Sequence, residues 1–410
     1  MPRVRPTILQ IIPRLDTGGA ELSTIEMTSA IVRAGGRALV ATEGGRMADL
    51  VVAAGGEIVW LPVATKNPMR MLANSRDLQS LARGGNIQLM HARSRAPAWS
   101  ALMAARRGGF PFVTTYHGAY VERNRLKSIY NSVMARGDRV IANSGYTASL
   151  ITSRYAVDAS TVRIIHRGVD LSRFDPAKVA PDRRDRLRQA WSIGPTDRVV
   201  LQAARLTGWK GQQTLLEAAA RLRGKGQLRQ TVLVLAGDDQ GRVEYKQGLW
   251  DLARRLDIAD NVRIPGHVDD IPAAFAIAHV GVVASSEPEA FGRAAIEAQA
   301  MACPIIATDI GAPPETVLDD HRAPKGTATG WLVTPRDEGA LATALEAALE
   351  LSSEQRHEIG IRARRHVAAH FTVESMQLAT LSTYDELLGT RLAEAFRSEL
   401  RSFRTDGDLE

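Results

Sequence analysis

Short apolar runs alternate with longer stretches of 3.6-residue periodicity along almost the whole chain. In the first half, runs at 8–12, 37–42, 58–63, 88–92, 112–116, 139–143 and 163–165 alternate with helical patterns such as 21–34, 97–107, 124–135 and 146–155. Strands that are apolar on both faces and separated by helices predict a parallel sheet covered on both sides. The rhythm restarts at residue 199. Strands at 199–203, 231–236, 262–264, 280–284, 304–308 and 331–333 alternate with helices at 212–223, 243–256, 271–276, 291–301 and 337–349. The polar stretch 172–188, with Pro176 and Pro181, reads as a linker between the halves. The tail from about Thr372 has one apolar side (Met376, Leu378, Leu381, Tyr384, Leu387, Leu388), so it should pack as an amphipathic helix. The pattern predicts an α/β chain of two doubly wound domains, 1–171 and 189–371. They would face each other across a deep crevice, with ligands at the carboxyl ends of strands.

A chain of 410 residues is too long for one ordinary core, in keeping with two domains. No apolar run is long enough to span a bilayer. The N-terminal basic residues and short apolar run end in Pro13-Arg14 without a small-residue cleavage site, so the run reads as a first strand and not a signal peptide. The single cysteine, Cys303, excludes an internal disulfide and fits a reducing cytoplasm. Its place between a helix and a buried strand reads as a packed thiol. The net charge of +7 is uneven: residues 1–170 hold 22 Lys and Arg against 11 Asp and Glu, and the remainder 30 against 34. An arginine-rich first half suits an anionic partner. It lacks interleaved exposed aromatics, which argues against nucleic acid.

The densest chemistry lies at 285–308. An apolar strand runs into an acidic loop, then a helix expected to start near Phe291, then a second apolar strand. Glu289 sits before the helix and Glu297 two turns inside it, roughly 12 Å along the axis if the helix runs back that far. The backbone N–H groups of Phe291, Gly292 and Arg293 would face the loop's occupant, and such a helix start attracts phosphate. Two carboxylates with a phosphate between them could grip a nucleotide sugar by three of its parts. Arg205 and Lys210 follow a strand end: Arg205 can fork onto phosphate oxygens, Lys210 supplies a compact charge, and Gly208 and Gly211 let the backbone approach. Gly18 and Gly19, in Asp16-Thr17-Gly18-Gly19-Ala20-Glu21, fall where the first strand meets the first helix. Asp238-Asp239, Asp269-Asp270 and Asp406-Gly407-Asp408 make no convincing metal site, so neither metal nor cofactor is expected.

Glu289-Ala290-Phe291-Gly292-Arg293-Ala294-Ala295-Ile296-Glu297 resembles the paired-glutamate signature of family 4 retaining glycosyltransferases of the bacterial cell-envelope type. The resemblance covers most of the chain and is strongest from about 199 to 334. It implies the GT-B fold, with the C-terminal helix 372–410 crossing back to the first domain. Arg205 through Lys210-Gly211 resembles the family's diphosphate clamp, and Gly18-Gly19-Ala20-Glu21 its GGAE loop. His117-Gly118, after a strand, resembles the position beside the donor sugar. Val268, after Gly266-His267, would border the nucleobase, and Gly237 ends a strand toward the crevice. Glu297 would hold ribose hydroxyls and Glu289 the donor sugar. Arg93, Arg95, Tyr120 and Arg123, with Ser94, Arg125 and Lys127, are expected on loops facing an anionic acceptor, a lipid or a sugar acid.

Two departures stand out. His166-Arg167-Gly168-Val169-Asp170 replaces the usual Pro-Asn of that landmark, and Ala302-Cys303-Pro304 stands where glycine is usual. The resemblance implies metal-independent transfer from a nucleotide-diphosphate sugar to a glycan or lipid-linked hydroxyl. It suggests a setting in cell-envelope polysaccharide or lipopolysaccharide synthesis, at the cytoplasmic face of the inner membrane. An epimerase or hydrolase on the same scaffold, or a non-catalytic nucleotide-sugar sensor, remains the alternative.

Overall fold

The computed structural model describes residues 5–16, 18–118, 120 and 124–407, the last five without their side chains. The chain divides into two compact units, 1–167 with 373–410, and 168–372.

In the first unit, seven strands form one sheet: β1 (Thr7–Ile11), β2 (Arg37–Thr42), β3 (Glu57–Trp60), β4 (Leu89–Ala92), β5 (Phe112–Tyr116), β6 (Arg139–Ala142) and β7 (Val162–Ile164). Their order is β3-β2-β1-β4-β5-β6-β7, every pair parallel. β1, β4 and β5 are buried along their whole length, including the polar Thr7, Gln10, His91, Thr114 and Thr115. In the second unit, β8 (Arg198–Ala203), β9 (Thr231–Ala236), β10 (Val262–Gly266), β11 (Val280–Val283), β12 (Ile305–Thr308) and β13 (Gly330–Val333) pair in parallel in the order β10-β9-β8-β11-β12-β13. In each sheet the chain moves outward on one side of its first strand, then crosses to the other side. The switch points fall between β1 and β4 and between β8 and β11, where doubly wound sheets take their ligands.

Three expectations are corrected. Residues 172–188 are not a linker but part of the second unit. Val169, Phe174 and Val179 are buried in its core, and a helix at Pro181–Ala190 is tied to Asp270 by both arms of Arg183, at 2.8 and 2.7 Å. That helix buries no residue, so it carries no apolar period to read. The C-terminal segment is two helices, Val373–Leu388 and Leu392–Gly407. Between them Gly389 takes φ 65°, and Asp385 accepts from the backbone N–H groups of Leu392 and Ala393. Met376, Leu381, Tyr384, Leu392 and Phe396 pack with Ile8, Met27, Ile31, Leu89 and Val113 of the first unit. Third, helices at Ala48–Ala53, Pro68–Gly84 and Ser353–His370 were not anticipated. Cys303 is buried, and burial pushes its thiol up to about 12, so it is inert.

Candidate functional site

The loops leaving β8 and β11 meet at the second unit's switch point. The Ser286 N–H donates to Trp209 O at 2.8 Å, and the Leu206 N–H donates to Asp238 O at 3.0 Å, which joins the β8 loop to its neighbours on both sides. The close approach requires glycine. A Cβ at Gly211, which has φ 73°, would lie 1.8 Å from Ala284 O, and one at Gly237 would lie 1.9 Å from Ala204 O.

On this frame the Lys210 ammonium donates to Glu289 Oε1 at 2.5 Å, and the Ser285 hydroxyl donates to the same oxygen. Both partners are largely buried, the Glu289 side chain 8% exposed and that of Lys210 16%. The Gln202 amide donates to Lys210 O at 2.6 Å and the Gln212 amide to Arg205 O at 2.9 Å, while Tyr245 Oη donates to Gln212 Oε1 at 3.0 Å. The Lys210 ammonium lies 4.2 Å from the centroid of the Trp209 ring, a cation–π contact that steadies it. Two side chains named from sequence, seventy-nine positions apart, are thus one ion pair. Arg205 is exposed and makes no ion pair with a described residue.

The helix expected from Phe291 begins at Arg293 and ends at Ala300, with Gly292 as its cap at φ 82°. Glu289 lies outside it, bridged to Gly311, and its carbonyl accepts from the Ala312 N–H at 3.0 Å. Glu297 therefore stands one turn inside the helix and not two, paired with Arg293 at 3.4 Å. Phe291 is buried, its ring edge-on to Phe371 with centroids 6.1 Å apart. It anchors the loop instead of facing a ligand with its side chain. Val268 is half-buried against the core, just past β10.

In the first unit, Gly18 caps the helix Gly19–Arg33 that follows β1. Of the set read as acceptor-facing loops, Arg93 is internal, Ser94, Arg95 and Tyr120 are half-buried, and Arg125 and Lys127 are exposed. Arg93 is 3% exposed and donates to Gln10 Oε1, because its backbone N–H continues the β1–β4 pairing onto Ile11 O and sends the side chain into the interior. The Arg95 guanidinium stacks 4.0 Å from the Tyr120 ring centroid and donates to Asn131 Oδ1 at 2.8 Å. Arg125 and Lys127 lie on a helix, Arg125–Ser132, and not on a loop. Arg123 lies outside the described residues. His117 accepts at Nδ1 from Arg167, whose side chain is buried.

Ser285, Gln202, Gln212 and Arg167 were not picked out as site residues from the chain. Buried polar residues at strand ends and helix starts were the available signal: Gln202 and Gln212 are 1% and 0% exposed. Among the described residues no three His, Cys, Asp or Glu side chains gather as metal ligands. Asp238 and Asp239 accept from the N–H groups of Gln240 and Gly241.

Two parallel sheets wound about such switch points define a pair of Rossmann-like domains, and comparison with known proteins gives the family. The model described as Glycosyl transferases group 1 matches residues 183–366, and Glycosyltransferase Family 4 matches 17–173. The chain belongs to this family and has its GT-B fold. It is 30% identical over 330 residues to D-inositol 3-phosphate glycosyltransferase 2 of Catenulispora acidiphila, covering 76% of this chain and 74% of that one. With D-inositol 3-phosphate glycosyltransferase of Mycobacterium tuberculosis the identity is 28% over 327 residues, covering 76% of this chain but 64% of the relative, a little under two thirds of its length. A glycosyltransferase from Rickettsia africae superposes with a TM-score of 0.85 at 30% identity, covering 94% of this chain and 99% of that one. HepE of Anabaena, solved with UDP and glucose, gives 0.80 at 22% identity over 93% of this chain and all of that one, a likeness of fold alone.

Proposed function

We propose that the chain is a retaining glycosyltransferase moving a sugar from a nucleoside-diphosphate donor to a hydroxyl of a glycan or lipid-linked acceptor, without a divalent ion. The observation that carries the reading is the Lys210–Glu289–Ser285 contact at the β8/β11 switch point, with Arg205 exposed on the same loop. In the reaction the bond from the sugar's anomeric carbon to the phosphate oxygen breaks, and its electron pair leaves with the diphosphate. The acceptor oxygen bonds to the same carbon on the same face and passes its proton to a departing phosphate oxygen. Arg205, Lys210 and the backbone at Phe291–Arg293 offset the growing negative charge, the task a metal ion performs elsewhere. Glu289, held by Lys210 and Ser285, orients the donor sugar's hydroxyls, and Glu297 receives the ribose. Gly18, Gly19, Gly237 and Val268 are assigned to donor contacts through backbone.

An anionic acceptor is supported by the arginine excess of residues 1–170 and by the relatives' names, which specify an inositol phosphate. The setting we assign is cell-envelope polysaccharide or lipopolysaccharide synthesis, at the cytoplasmic face of a membrane. No helix of the described residues is long and apolar enough to cross a membrane, so the contact would be peripheral. In an assay with a labelled sugar nucleotide and inositol phosphate or a lipid-linked glycan, Arg205→Ala with Lys210→Ala should lower transfer at least about a hundredfold. Arg205→Ala alone, which leaves the buried pair intact, should lose about tenfold. Full transfer in the double variant, or free sugar or a 2-epimer formed without acceptor, would refute the assignment.

A further inference from the structure

His117 and Arg167 meet in the first unit in a way that fixes the chemistry of the imidazole. A guanidinium has five N–H donors and no acceptor. Arg167 points one of them at His117 Nδ1, so that nitrogen must offer its lone pair. The ring is therefore neutral and carries its proton on Nε2. Nε2 is covered and meets no hydrogen-bond partner among the described residues. A donor left unmade in this way costs about 1–3 kcal/mol, which an arriving oxygen would offset.

The surroundings keep the ring neutral. Arg167 faces it from beyond β7, His91 from β4 and Arg93 from just after it. His91 is itself engaged by Tyr384 Oη at 2.6 Å and Thr115 Oγ1 at 2.7 Å. Burial first, then Arg167, Arg93 and His91, hold the His117 pKa well below the usual histidine range. Arg167 is itself held in place: it is 5% exposed and its Nη1 lies 3.9 Å from Met376 Sδ on the C-terminal helix.

We infer that Arg167 is a positioning residue that locks His117 as the neutral Nε2–H tautomer, so that His117 serves the transfer by donating a hydrogen bond to a substrate oxygen and not by accepting a proton. The substrate half of this inference rests on the proposed transferase reading; the tautomer half does not. Arginine here, where the related landmark carries asparagine, makes the lock a feature of this chain.

Two measurements test it. The first is long-range nitrogen-15 NMR of the full chain with labelled histidine, the His117 signal identified by its loss in His117→Gln. Wild-type His117 should show the Nε2–H tautomer at pH 7 and stay neutral well below the pH at which an ordinary histidine charges. Arg167→Met should raise the pH at which it charges, with burial, Arg93 and His91 still holding it below the ordinary histidine range, and let the Nδ1–H tautomer appear, whereas Arg167→Lys, which keeps a donor at Nδ1, should restore the wild-type spectrum. A wild-type ring with its proton on Nδ1, or one titrating near 6.5, overturns the lock whatever the enzyme does. The second measurement is turnover against pH. Arg167→Met should raise KM about tenfold and move the acid side of the kcat/KM profile to higher pH than in wild type. His117→Gln, which retains an N–H donor, should exceed His117→Leu in kcat/KM by about tenfold. Equal activity in those two variants, or a profile in Arg167→Met that matches wild type, overturns the substrate contact.

Discussion

Ala302 holds φ 53°, in the region that L-residues avoid, at the turn between the helix Arg293–Ala300 and β12. Its Cβ sets that conformation at roughly 1–2 kcal/mol above glycine, less the greater entropy that glycine loses on folding. The position is one where the family resemblance expects glycine. Ala302→Gly should therefore stabilise the chain by roughly 0.5–1 kcal/mol in urea unfolding, with transfer unchanged. Destabilisation would show that Ala302 makes packing contacts worth more than the strain. The same attention to single side chains explains the site. Lys210 and Glu289 were legible as separate candidates because each sits in a recognisable spacing. Their contact, and the Ser285 hydroxyl shared with it, depends on β8 and β11 being neighbours, which no local pattern states. Arg93 was misjudged for a related reason. Arginine after a strand reads as surface, yet here Gln10 receives it inside.

All thirteen strands were legible as elements, most within a residue or two of their bounds, because each is a short and largely apolar run; most are buried, while β3 and β7, at the sheet edges, are partly exposed. The helices show where that signal stops. Pro68–Gly84 buries Asn74, Ser75, Leu78 and Ala82, so polar residues occupy half of its inner face and blur the period. Its start was nevertheless written in the chain, since Asn67 accepts from the N–H groups of Met69 and Arg70 with Pro68 in the first turn. Ser353–His370 likewise opens with a capping box, Ser352 with Gln355. The late start of Arg293–Ala300 has a backbone cause: Gly292 takes a left-handed angle, so Phe291 cannot belong to the helix. That two-residue delay leaves Glu289 on the loop and changes how the two glutamates are spaced, while Arg293 and Glu297, four apart on the helix, pair across one turn.

Across the molecule, the arginine excess of residues 1–170 is the strongest long-range feature. Part of it is spent internally, on Gln10, Asn131 and the Glu57 and Glu386 carboxylates. The remainder includes Arg125 and Lys127 on the helix Arg125–Ser132, beside the exposed Leu126 and Ile129, at 79% and 55%. A basic surface with projecting apolar side chains suits a peripheral contact with anionic lipid. Vesicles containing phosphatidylglycerol should float the protein at low salt and release it at high salt, and recovery in the soluble fraction at low salt would contradict that contact. The account as a whole stands on the second unit's switch point as the diphosphate site. A crystal structure with UDP, GDP or ADP bound tests this most directly. The account predicts the diphosphate at the carboxyl ends of β8 and β11, with Arg205 and Lys210 within about 3.2 Å of its oxygens. A nucleotide lodged elsewhere, with both side chains unengaged, would contradict it.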